Sequence, residues 1–166
     1  MPRMRTAMTM AAVLLLAIPA APGVARTASK RAESHMMSAI NWVRAQHGLP
    51  ALQRSDSLIG SAERYSNWLM ANDVFAHQGS IQASSQFAVV GEALAWHSGH
   101  RFGVQQTIRQ WLASPTHRSI LLSSVMRRQG AGVKRGLFGS SRATIWVLHV
   151  GRIHAVGSSL PSLPSL

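Results

Sequence analysis

Cysteine is absent from this 166-residue chain. That excludes a disulfide framework, a thiolate zinc finger, an iron–sulfur centre and a cysteine nucleophile. Acid is scarce: five Asp+Glu stand against 17 Lys+Arg, a formal net charge of +12, so a site built from many carboxylates is excluded too. Long apolar runs are missing. The only candidate, Met10 to Ile18, is far shorter than the ~20 residues a membrane-spanning helix needs. Neither a His-Glu-x-x-His helix nor a Gly-x-Ser-x-Gly elbow occurs, which removes two hydrolase signatures.

What is present begins with Arg3 and Arg5 ahead of that apolar run, which gives way to small residues ending Gly23-Val24-Ala25. This is the layout of a secretory signal peptide, residues 1–25, cleaved after Ala25. It predicts a product that is periplasmic or extracellular and has no transmembrane anchor. The remainder is still strongly basic, and 15 of the 17 cationic side chains are Arg. A field of that sign favours lipid headgroups and other anionic envelope components through steering and counterion release, although an Arg bias is equally what a genome rich in G and C supplies. No aromatic-and-basic RNA motif or recognition helix is evident, which weighs against nucleic acid.

Residues 26–32 read as a polar lead-in, 33–154 as one ordinary domain, and the Ser-Leu-Pro stretch 155–166 as a disordered tail. Met36, Ile40, Val43 and His47 mark a first helix, stopped by Gly48 and Pro50. Ser55-Asp56-Ser57 offers N-cap candidates for a second, whose stripe is Leu58, Ala62, Tyr65 and Leu69 and whose end falls near Asn72. Asp73 to Ser85 reads as a loop carrying Phe75 and His77. Phe87 to Leu94 looks extended and holds Glu92 among apolar neighbours, where an ionised acid needs a partner.

After a His97-Ser98-Gly99-His100 loop, Val104, Ile108 and Trp111 mark a third helix; Ser114-Pro115 restarts a fourth through His117 to about Leu122. Gly130 to Lys134 and Ala143 to Val150 are strands of a hairpin. The last strand is apolar on both faces, so it should be covered on both sides. The expectation is an α+β fold: a three-layer α/β/α sandwich with a small antiparallel sheet between helices.

Several of these residues form an ordered set: Asn41, Arg44, Gly48-Leu49 and Leu52; Phe75-x-His77; Gly91-Glu92; Trp111-x-x-Ser114-Pro115-x-His117-Arg118; Gly132-Val133 and Trp146. The set, spanning about Glu33 to Gly151, resembles the CAP superfamily of cysteine-rich secretory, antigen 5 and pathogenesis-related proteins, in its short bacterial branch without cysteine. The resemblance implies the same sandwich and a secreted protein. It also implies a cleft lined by two His and two acids, of which His77, Glu92 and His117 match three. The place of the fourth, three residues after Trp111, holds Ser114.

Two imidazoles and a carboxylate can hold zinc or another divalent ion with one position open. Alternatively, Glu92 is a buried acid hydrogen-bonded to His77 or His117, fixing the core. Trp96, beside the His/Gly loop, and Ser114 are candidates for the cleft edge, while tryptophans at helical and strand spacing are more often core. His97 and His100 read as solvated loop, and His149 and His154 as strand and tail residues. The leading expectation is a secreted, non-enzymatic binding module for lipid or an anionic envelope component. Its rivals are a metal-dependent hydrolase on the same three residues and simple polyanion binding by the Arg-rich surface.

Overall fold

The computed structural model describes residues 22–83 and 85–154. Most of the signal segment and the tail from residue 155 lie outside them. Helix α1 spans Pro22–Gln46, β1 Gln53–Arg54, α2 Asp56–Ala71, β2 Phe87–Ser98, α3 Val104–Ala113, α4 Pro115–Leu121, β3 Arg128–Phe138 and β4 Ser141–Ile153. Residues 26–32 are therefore not a lead-in but part of α1. Ala25, Ala28 and Ala32 are strong helix formers, and Pro22 opens the helix, where a missing backbone N–H costs nothing.

The sheet order is β1-β3-β4-β2. β3 and β4 form the expected hairpin, and β2 pairs antiparallel with β4. The sheet is mixed rather than purely antiparallel, because β1 joins β3 in parallel through Gln53↔Arg128 and Arg54↔Gln129. A two-residue strand has no periodicity to read.

Helix α2 covers one face of the sheet, with Ala62, Leu69 and Met70 against Leu94, Ile145 and Val147. Helices α1, α3 and α4 cover the other, where Met36, Ile40, Ile108, Trp111 and Leu121 meet Ala93, Ala95, Trp146 and Leu148. These are the three layers anticipated from the apolar run of β4. Two glycines set the spacing on the α2 side. A Cβ on Gly130 would stand 2.2 Å from Ile59 N, and one on Gly132 2.4 Å from Ala62 C. The backbone of α2 thus rests directly on β3, an approach only glycine permits.

Ser55 caps α2, its hydroxyl accepting from Leu58 N–H at 3.5 Å. Asn41 and Arg44 fasten the turn after α1. The Asn41 amide exchanges two hydrogen bonds with the backbone of Leu52. Arg44, fully buried, donates to the carbonyls of Pro50, Leu121 and Ser123 at 2.7 to 3.0 Å, so one guanidinium ties α1 to the ends of two distant segments.

Candidate functional site

Strand β2 is the edge of the sheet, and its residues alternate between the two faces. Glu92, Leu94 and Trp96 point to the α2 side, while His97 points the other way, buried, with Nε2 2.7 Å from Thr107 Oγ1. The reading of His97 as solvated loop is therefore corrected: β2 runs on to Ser98 and takes His97 into the core. His100 is exposed and bonds the Gly136 carbonyl.

The loop after α2 brings His77 over Glu92, with Nδ1 to Oε1 at 2.7 Å. Gln78 donates to the same carboxylate from its backbone N–H at 3.3 Å and from Nε2 at 2.9 Å. The register Glu92↔His149 places a second imidazole beneath it, His149 Nε2 lying 3.0 Å from Oε2. His149 has no exposure at all, and its Nδ1 is buried without a partner. Burial alone would raise the carboxyl of Glu92, but bonds from His149, Gln78 and His77 outweigh it and hold the group below the ordinary carboxylate value. Glu92 is thus an ionised acid clamped between two histidines. It draws the Nδ1 proton of His77 toward itself and leaves Nε2 free to face outward.

His117, on α4, joins this cluster only through His77; the two ring centroids are 6.2 Å apart and tilted by 37°. Burial, and then the neighbouring His77, lower its pKa, so it is neutral at physiological pH. As a three-ligand metal set, His77, Glu92 and His117 do not fit. Both oxygens of Glu92 are committed to other side chains, and among the described residues no three His, Asp or Glu are grouped to hold an ion.

Beside the histidines runs an open groove of about 540 Å³ along the β2 edge. Phe75, Leu94, Trp96, Trp111 and Phe138 give it apolar walls, and Gln110, Ser114 and His117 give it polar points. Trp96 is 38% exposed and packs edge-on to Phe138 at 6.2 Å; Phe75 is 45% exposed. Trp111 donates its indole N–H to the Leu94 carbonyl at 2.9 Å, which satisfies part of the free strand edge. Trp96 and Ser114, the two candidates for a cleft edge, both line this groove. Ser114 occupies the N-cap position of α4, but its side chain makes no capping bond. Trp111 and Trp146 are core, whereas Trp42 and Trp68 are exposed away from the groove walls.

Sequence reasoning missed the parts played by His149, Gln78 and Phe138. For His149 the only signal was its period-two place after Ile145 and Val147, and it needs the β2–β4 register to become visible.

A family model described as "Cysteine-rich secretory protein family" matches residues 37–150. The fold is similar to that of an outer surface protein from Borrelia burgdorferi, with TM-score 0.61 and 22% identity over 75% of this chain and 95% of the other. It is also similar to an extracellular protein containing an SCP domain from Bacillus anthracis, with TM-score 0.65 and 19% identity over 82% and 45%. Venom allergen-like protein 4 of Schistosoma mansoni gives 0.59 and 10% over 75% and 90%. Among curated proteins nothing matches significantly.

Proposed function

The chain belongs to the cysteine-rich secretory protein (CAP) family, and on that premise we propose that it is a secreted, non-enzymatic binding module for a lipid or another amphiphilic, anionic component of the cell envelope. The observation that carries this is the aromatic groove at the β2 edge, open to solvent and walled by partly exposed Phe75 and Trp96. Soluble proteins seldom leave such rings in a concave surface without a ligand to cover them. Secretion is supported by the Arg-then-apolar start of the sequence and by similarity to proteins described as outer surface and extracellular. Cleavage after Ala25 removes Arg3 and Arg5, and the net charge of about +10 that remains supplies attraction for an anionic headgroup.

In this reading the cluster of His77, Glu92 and His149 is a rigid wall that presents one imidazole nitrogen to the ligand. A second reading, a divalent ion held by His77 and His117, draws on one observation: a carboxylate behind His77 is the usual support for a metal-binding imidazole. Zinc titration of the wild type and of His117→Ala tests it.

The main test is titration with a fluorescent fatty acid, cis-parinaric acid, against Trp96→Ala and Phe75→Ala. Both residues are exposed enough to leave the core intact. Losing one ring's contact is expected to weaken binding about tenfold. Absence of saturable binding, or indifference to both changes, overturns the reading. Binding that ignores Trp96 and falls steeply as salt rises to physiological levels would instead point to polyanion attraction by the Arg-rich surface.

A further inference from the structure

The opposite edge of the sheet carries a second cleft of different chemistry. On the side away from β4, strand β3 has no strand beside it past Gln129, because β1 ends there. The N-terminal half of α1 lies along this bare edge instead. Glu33, 3% exposed, accepts a hydrogen bond from Val133 N–H at 3.1 Å. Between α1, α2 and β3 opens a cavity of about 790 Å³ lined by charged side chains of both signs.

The floor of this cavity holds two acids and one cation. Lys30 pairs closely with Glu63 and lies 3.8 Å from Glu33 Oε2. Burial first, and then the Glu63 charge, push the Glu33 carboxyl up to about 7, so near neutral pH it is protonated in a large share of molecules. The floor therefore carries little net charge. The rim is different: Arg26, Lys134 and Arg135 line the cavity, and none pairs with an acid among the described residues. Arg135 is already oriented, its guanidinium 4.2 Å over the Phe102 ring and its Nη1 donating to the His100 carbonyl. Unneutralised cations around a concavity focus a positive potential on whatever enters, and Arg meets phosphate oxygens in pairs.

The floor asks for groups that both donate and accept hydrogen bonds, as hydroxyls do. Glu33 Oε2 is buried with no donor on it. Asn67 spends its Nδ2 on the Glu63 carbonyl at 2.7 Å, which leaves Oδ1 as an acceptor. A divalent ion does not suit this floor, since Lys30 already stands against both acids, and an apolar chain does not suit a lining with this many charged side chains. A ligand with an anionic head and hydroxyl groups matches both halves. We propose that the cavity between α1, α2 and β3 is a binding site for a sugar phosphate, with the phosphate held at the rim by Arg26, Lys134 and Arg135 and the sugar hydroxyls hydrogen-bonded to Glu33 and Asn67. If the chain is cleaved after Ala25, Arg26 becomes its first residue and its α-ammonium adds to the rim. The site lies across the sheet from the aromatic groove, so its failure leaves the lipid reading untouched.

The test is a calorimetric and amide-shift titration of the protein with glucose 6-phosphate, with glucose and inorganic phosphate as partial probes. The expected result is saturable binding at least tenfold tighter than either partial probe, with amide shifts concentrated at residues 29–33, 63–67 and 133–135. The double variant Arg26→Gln, Lys134→Gln should lose at least tenfold in affinity with its melting midpoint unchanged. A control with the same charge removed elsewhere, Arg109→Gln with Arg152→Gln, should stay within twofold. Equal losses in the two double variants would reduce the effect to diffuse charge and overturn the site. Inorganic phosphate binding as tightly as glucose 6-phosphate would overturn the role given to the floor, and with it the ligand class.

Discussion

Replacing Glu33 by Gln should stabilise this protein at alkaline pH, which is unusual for the removal of a buried side chain that bonds to the backbone. The carboxyl of Glu33 is raised from 4.5 to about 7, by burial first and by Glu63 second. A raised acid is one whose proton the folded state prefers to keep. Between pH 4.5 and 7 the folded chain therefore binds more protons at this site than the unfolded chain, and stability falls as pH rises through that window. At 1.36 kcal/mol per unit of pKa, the burden above pH 7 amounts to about 3 kcal/mol. The amide introduced by Glu33→Gln keeps the acceptor for Val133 N–H and offers N–H toward Glu63, without a charge to desolvate. Urea denaturation followed by tryptophan fluorescence, from pH 4.5 to 8.5, is the assay. The wild type should lose about 2–3 kcal/mol across the range attributable to this group, and the variant should be flatter and more stable by a similar amount at pH 8. A variant that keeps the wild-type slope, or is less stable at pH 8, refutes the reasoning.

Two further outcomes follow from the packing and from the site. Gly132→Ala sets a Cβ within 2.4 to 2.5 Å of backbone atoms of Ala62 and Glu63, which no rotamer change relieves. α2 must lift from β3, at a cost at the top of the ~1–3 kcal/mol seen for overpacking and a fall of about 10 °C in Tm by calorimetry; Gly79→Ala, with open space around it, should stay within about 0.5 kcal/mol. Glu92→Ala leaves His149 Nε2 buried without its carboxylate partner and should cost about 3 kcal/mol at pH 7. Because folding lowers the Glu92 pKa, its contribution is present above the ordinary carboxylate value and is lost as pH falls through the folded one. The gap between wild type and variant in urea midpoints should therefore close in acid.

Most of the layering was legible in the sequence, because the period of the apolar residues changes where the elements change. Leu58, Ala62 and Leu69 announce α2, and the doubly apolar run of β4 announces cover on both faces. Features that rest on long-range pairing were not legible. β1 is two residues long and exists only because β3 lies next to it. The start of α1 was read from its polar composition, although its alanines favour helix. The candidate site divides in the same way. His77, Glu92, His117 and Ser114 were singled out through family-like spacing and Trp96 by its place beside the His/Gly loop, but His149 and Phe138 reach the site by strand register and chain reversal, which no local window contains.

The order of the strands also governs when this domain is able to fold. β4 is the last of the described elements, yet it is the strand that joins β2 to the β3 side of the sheet. Until it has been made, β2 has no neighbour and β3 has only the short contact with β1. Phe87 must find Ile153 and Ser98 must find Ala143, closures over long loops that make assembly slow and cooperative. A growing chain that stops short of Ala143 has helices but no sheet to lay them on. Assembly of the sheet therefore waits for β4, after every other element of the domain has been synthesised.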